Sequence, residues 1–170
     1  IIPTELIPNN GRLLKSVCLQ LASMNNLEES FITWVDEHNH FCDSLVDRIV
    51  PGKLSAEQQQ WLEEKLGVAD QLAILSEPYA LWAMEVNEEA VKNRLSFATI
   101  NSEVVLAPDI NKFRQLKLHL LNGTHTFCCG VAIHCGFSTV KEALDDKDFY
   151  AFMQQLLHEE IIPGILSNEI

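Results

Sequence analysis

Lys117, Asn122 and His125 lie in one apolar run, KLHLLNGTHT (117–126), at the spacing Lys-x4-Asn-x2-His. Wound as an α-helix, they fall at about 0°, 140° and 80° around the axis, within one face, whereas His119 at about 200° points elsewhere. A lysine in an apolar setting is costly unless it finds a partner or yields its proton, and such a lysine serves as a general acid or base. An Asn amide can donate to a developing alkoxide. A neutral His can hold a substrate hydroxyl or the lysine itself. Gly123 would let a ligand approach the backbone closely. The same spacing also fits a partly exposed helix with a few polar interruptions, and spacing alone does not separate the two.

Two other clusters invite the same question. In HNHFC (38–42), His38, His40 and Cys42 would share one face of a strand and could ligate zinc. No second ligand pair stands at a suitable spacing, so no metal site is expected. Cys128, Cys129, His134 and Cys135 are read as buried helix residues. In VDRIVP (46–51), Asp47 and Arg48 could form an ion pair joining strand to loop. They could equally be polar groups at the rim of a crevice, where open α/β sheets bind ligands. The seven glycines are scattered, with no GxGxxG, no GxxxxGK[ST] and no GxSxG, so this chain holds neither a phosphate-cradling loop nor a nucleophile elbow.

The elements that must position these groups are legible in outline. Residues 1–7 read as a buried strand ended by Pro8 and an Asn-Asn-Gly turn. Asn10 is placed to cap a helix with Leu13, Leu14, Val17, Leu21 and Ala22 inward. A helix is expected over 27–37 with Phe31, Trp34 and Val35 on its apolar side, then a strand over 41–50. Ser55 opens a helix with a capping box, and Gly67 ends it. Residues 72–86 mix extended and helical signals, 88–95 lean to helix, and 102–110 read as a strand. From 111 onward helical patterns take over, over 111–135, 139–145 and 147–161. The final EEIIPGILSNEI (159–170) shows no closing element. Strand–helix alternation followed by helices predicts an α/β part and then a mainly α part, with a boundary near 107.

Composition narrows the function classes. The 170 residues are 47% apolar, enough for a sizeable core. The net charge is −12 with no Lys/Arg-rich cluster, which disfavours nucleic acid and anionic membranes but allows a small anionic ligand in a local cationic pocket. No apolar run is long enough to span a membrane. Five cysteines without a CxxC pair suggest free thiols in a reducing compartment. The non-Met start and open end suggest a segment of a longer protein.

FCDSLVDRIVPG (41–52) resembles the signature of the polyol-specific long-chain dehydrogenases, the mannitol dehydrogenase family, and KLHLLNGTHT is similar to that family's catalytic helix. ELIPNNG (5–11) and SEPYALW (76–82) resemble further family blocks in the same order, so the resemblance spans nearly the whole chain. NGTHT, LVDRIVPG and HEEIIP (158–163) resemble most the branch that interconverts tagaturonate and altronate, with the fructuronate reductase and mannitol dehydrogenase branches beside it.

The resemblance implies a cytoplasmic enzyme using NAD on a small sugar acid. Residues 1–107 would be the C-terminal part of a Rossmann-like NAD-binding domain, and 108–170 the beginning of a helical catalytic domain. Lys117 would be the general acid and base, Asn122 would polarise the carbonyl oxygen, His125 would orient a neighbouring hydroxyl, and Val46 and Asp47 would line the substrate site. Glu5 and Leu6 stand where mannitol dehydrogenases carry an Asp-Asn pair, so a second oxyanion donor is left unassigned. The isolated segment, lacking the phosphate loop, is expected to be inactive. The alternative from another class is a non-enzymatic helical binding domain with an exposed Lys117.

Overall fold

The computed structural model describes residues 1–167, with side chains through Ile165; residues 168–170 lie outside the described residues. The chain divides into two compact units, Ile1–Ile110 and Asn111–Ile170. The first is α/β and the second helical, the order expected.

In the first unit, helix α1 (Asn10–Met24) turns its small residues inward. Gly11, Cys18 and Ala22 fall on one line of the helix, and Gly11 and Ala22 are buried. The leucine-rich face expected to be inner is therefore mostly outer: Leu13, Val17 and Leu21 are exposed and only Ala22 of that set is buried. Asn10 does not cap. Asn9 takes the cap position in the left-handed conformation (φ 57°), and the Asn10 side chain goes into the interior. There its amide donates to the carbonyls of Pro3 (3.1 Å), Glu5 (3.0 Å) and Ser44 (3.1 Å), while its oxygen accepts from the backbone of Gly11 and Ser44.

That network explains why residues 1–7 are not the buried strand expected. Ile1 exchanges backbone bonds with His40 and Cys42. Pro3 then has no N–H to continue a ladder, and its carbonyl is taken by Asn10 and the Ser44 hydroxyl. Ile1 and residues 4–9 are exposed.

Helix α2 (Glu29–Glu37) buries Val35 but leaves Phe31 and Trp34 exposed, their rings 6.0 Å apart. The strand expected over 41–50 is shorter: β1 is Ser44–Asp47. After β2 (Gly52–Lys53), helix α3 (Ala56–Leu66) carries the expected Ser55/Gln58 capping box and ends at Gly67 in the left-handed conformation (φ 71°), but buries no residue. Strands β3 (Ile74–Leu75) and β4 (Leu81–Glu85), helix α4 (Glu89–Arg94) and β5 (Val104–Ala107) complete the unit. β1 runs antiparallel to β4, with Val46 opposite Trp82 and Asp47 opposite Leu81; β5 runs parallel to β4 on its other side. β2 and β3 pair separately. Cys42, Met84 and Val86 form the core, packed by Ile2, Trp82, Val91, Leu95, Val104 and Leu106.

The second unit opens with α5 (Asn111–Leu116), which runs without a break into a π-wound segment, Lys117–Gly123, and then α6 (Thr124–His134). Thr139 caps α7 (Val140–Asp145) with a capping box, and the Asp146 carboxylate caps α8 (Lys147–Gln155). A second π-wound segment, Leu156–Ile161, leads to α9 (Ile162–Ser167). The two π-wound segments pack against each other. Cys128, Ala143 and Phe149 are the core, with Phe137 meeting Phe149 edge-on at 5.4 Å. Of the four residues expected to be buried on α6 and its end, only Cys128 is; Cys129, His134 and Cys135 are exposed.

Candidate active site

Lys117, Asn122 and His125 stand on one continuous helical stretch, but its winding is not the expected one. Lys117 through Gly123 follow i→i+5 hydrogen bonding. α winding sets residues five apart at about 140°. π winding turns less per residue, so Asn122 comes round closer to Lys117 than it would in an α-helix, and His125, three residues further on, stays on the same side. Lys117 is half-buried; Asn122 and His125 are exposed.

The hydrogen bonds at the exit of this segment orient its polar groups. His125 Nδ1 lies 2.8 Å from the Leu121 carbonyl. A carbonyl only accepts, so Nδ1 carries the hydrogen and Nε2 of the neutral ring is left as an acceptor. The Thr124 hydroxyl donates to the Leu120 carbonyl at 2.6 Å and Thr126 to the Asn122 carbonyl at 2.8 Å. His119 Nε2 meets Gln115 Oε1 at 3.1 Å on its own turn. Gly123 has ordinary helical backbone angles, and a Cβ there would only touch the Leu118 carbonyl at 3.4 Å, so the helix itself does not require glycine. His125 also borders an apolar hollow of about 120 Å³ lined by Cys128, Val140, Phe149 and Met153.

In the first unit, Val46 and Asp47 line a crevice of about 440 Å³ at the end of β1, together with Thr4, Trp82, Asn101 and Glu103. Arg48 joins strand to loop, but through Glu77: its Nε and Nη2 donate to the Glu77 carbonyl at 3.1 and 2.9 Å. The Glu77 carboxylate in turn accepts from the Ile49 backbone at 2.7 Å. This reciprocal clamp bends the chain out of β1 after Asp47, which is why the strand stops short of 50. Burial pushes the Tyr79 hydroxyl above its ordinary pKa, helped by the Asp47 and Glu77 carboxylates. SEPYALW supplies Glu77, Tyr79 and Trp82 to this region, a contribution its sequence did not reveal. Leu6, at the position of the missing Asn, is exposed and has no polar side chain to offer.

The HNHFC residues scatter. His38 ends α2, His40 Nδ1 faces Glu88 at 3.6 Å, and Cys42 is buried. Among the described residues no three His, Cys, Asp or Glu side chains gather as metal ligands. His40 and Cys42 border a polar crevice of about 770 Å³ in which Arg12 bridges Asp43 (3.2 Å) and Glu85, and Lys15 pairs with Asp36 (2.7 Å). All five cysteines are free. Burial pushes the Cys42 thiol up, with Glu88, Asp43 and Glu85 adding to it; burial does the same at Cys128. Thiolate is the reactive form. At pH 8 a thiol reagent should therefore modify exposed Cys129 and Cys135 first, and Cys42 and Cys128 only in urea, as peptide mapping would show; early modification of Cys42 would contradict the burial.

No helix among the described residues is long and apolar enough to cross a membrane. Compared with known proteins, residues 1–99 match the mannitol dehydrogenase Rossmann domain and residues 109–169 the mannitol dehydrogenase C-terminal domain. Altronate oxidoreductase of Bacillus subtilis is 37% identical over 163 residues, covering 96% of this chain and 34% of the relative. That of Halalkalibacterium halodurans is 39% identical over 169 residues, covering 99% and 32%. The chain thus spans about a third of the length of these curated relatives. Among solved structures, substrate-free D-sorbitol dehydrogenase has a TM-score of 0.71 at 22% identity, over 95% of this chain and 32% of that one. Pseudomonas fluorescens mannitol 2-dehydrogenase, in ternary complex with NAD and D-mannitol, has 0.60 at 23%, over 96% and 32%.

Proposed function

Because the chain belongs to the mannitol dehydrogenase family, we propose that the protein carrying it is an NAD-dependent oxidoreductase interconverting D-tagaturonate and D-altronate, with Lys117 as the proton carrier. The observation that supports this most is the Lys-x4-Asn-x2-His set on one helical face, in a chain whose curated relatives are altronate oxidoreductases. On this reading residues 1–107 are the C-terminal part of the Rossmann-like cofactor domain and residues 108–170 begin the helical catalytic domain. The small-molecule partner is a sugar acid, and the setting cytoplasmic.

The nicotinamide would supply hydride exchange at the carbinol carbon. The scattered glycines of this chain offer its phosphates no cradle, so no residue here is assigned to them. This chain's part is the oxygen and the proton. In reduction, Asn122 donates a hydrogen bond to the carbonyl oxygen as it gains negative charge. Lys117, as ammonium, protonates that oxygen; in oxidation its neutral amine takes the proton back. His125 accepts the neighbouring hydroxyl at Nε2, since Nδ1 is committed to Leu121. Val46 and Asp47, which line the crevice at the end of β1, are the substrate-binding residues assigned to the first unit.

The test is NADH consumption by the full-length protein, with tagaturonate, fructuronate and fructose offered side by side. A preference for tagaturonate of tenfold or more in kcat/KM is expected. If fructuronate or fructose wins, the branch is wrong and the chemistry stands. Silence on all three would favour a non-enzymatic helical domain.

A further inference from the structure

We propose that Thr124 and Thr126 are positioning residues of the Lys117–Asn122–His125 face, their hydroxyls holding open the π-wound segment that brings Asn122 round closer to Lys117; this rests on the function proposed above. In an α-helix each carbonyl receives the N–H four residues on. In the segment Lys117–Gly123 it receives the one five residues on. Where α winding resumes at Thr124, the register slips back, leaving one more carbonyl at the exit than there are N–H groups to meet it.

The carbonyls at that exit are those of Leu120, Leu121 and Asn122. Each receives a side-chain hydrogen bond from the residue four ahead: Thr124 at 2.6 Å, His125 at 2.8 Å and Thr126 at 2.8 Å. The Leu121 carbonyl also takes the Thr124 backbone N–H, so among these three carbonyls the side-chain donors more than cover the one surplus acceptor. Without them, the surplus carbonyl would favour relaxation of the wide turn to α winding. Relaxation would return Asn122 to about 140° from Lys117 around the axis, further apart than π winding holds them. Neither threonine is proposed to touch substrate. Thr126 holds the backbone of Asn122 itself, and Thr124 the turn between Lys117 and Asn122. Wide turns of this kind recur at functional sites because they re-aim side chains that regular winding would separate.

The test compares full-length wild type with Thr124→Val, Thr126→Val, the double valine variant and the two serine variants. Valine keeps the shape and removes the donor; serine keeps the donor. kcat should fall roughly tenfold to a hundredfold in the double valine variant, the cost of a misplaced reacting group. KM should change less than threefold, NADH binding and the far-ultraviolet circular dichroism should stay as in wild type, and the basic limb of the kcat pH profile should move. Serine should restore kcat to within about threefold at each position. Full activity in the double valine variant of an active wild type overturns the positioning role alone. Loss that serine does not repair, or that comes with lost NADH binding, overturns it in favour of a general folding defect. A wild type silent on all three sugars overturns both this inference and the function beneath it.

Discussion

On the proposed role of Lys117 as proton carrier, Lys117→Ala in the full-length protein should lower kcat by roughly 10²–10⁴-fold, the range a positioned general acid contributes. NADH should still bind with its wild-type Kd, because no cofactor contact is assigned to this side chain. The loss should appear equally in kcat and in kcat/KM if the ammonium acts only as the carbonyl oxygen becomes an alkoxide. Lys117→Arg sharpens the test. Arginine keeps the charge on a similar stem but does not release its proton near neutral pH. It should remain close to alanine in rate, whereas an electrostatic role alone would let arginine recover much of the activity. Asn122→Ala should cost about 10²–10³-fold by removing one donor to the oxyanion. Near-normal turnover in Lys117→Ala would end the proposed mechanism whatever the other variants do.

The helix that carries these residues was legible as a helix, and the Lys-x4-Asn-x2-His spacing was legible as one face. Its π winding was not, because the composition of KLHLLNGTHT suits either winding. The difference lies in threonine and histidine side chains returning to the backbone, which hydrophobic periodicity does not encode. The Ser55/Gln58 capping box and the Gly67 stop were visible because each is a local hydrogen-bonding or φ requirement met within a few residues. The inner face of α1 was misread for the opposite reason. The leucine stripe at 13, 17 and 21 obeys the periodicity rule, yet contact with the backbone of Cys42 and Asp43, just before β1, selects the face bearing Gly11 and Ala22. The end of β1 was likewise set from outside, by the Arg48–Glu77 clamp, whose partners are 29 residues apart in sequence.

That misread face yields the largest expected effect on folding. At Gly11 a Cβ would lie 2.5 Å from both the carbonyl carbon and oxygen of Cys42, and 2.8 Å from the Asp43 nitrogen. All three are backbone atoms, so no rotamer change relieves the collision; α1 and the chain entering β1 must separate. Their separation would also stretch the Asn10 bonds to Ser44, the next residue in the same stretch. Gly11→Ala should therefore destabilise by about 3 kcal/mol or more, at the upper end of overpacking costs. Gly130→Ala is the control. Gly130 lies inside α6, and a Cβ there meets nothing within 4 Å. The helix propensity of alanine should make that change neutral to stabilising, by up to about 1 kcal/mol. Urea midpoints of the two variants in the full-length protein measure the contrast. If Val46 and Asp47 bind the sugar as proposed, Gly11→Ala should also raise its KM in whatever protein folds, because β1 carries both residues, while Gly130→Ala leaves it unchanged. Equal midpoints for the two variants would show that α1 does not press its glycine against Cys42 and Asp43.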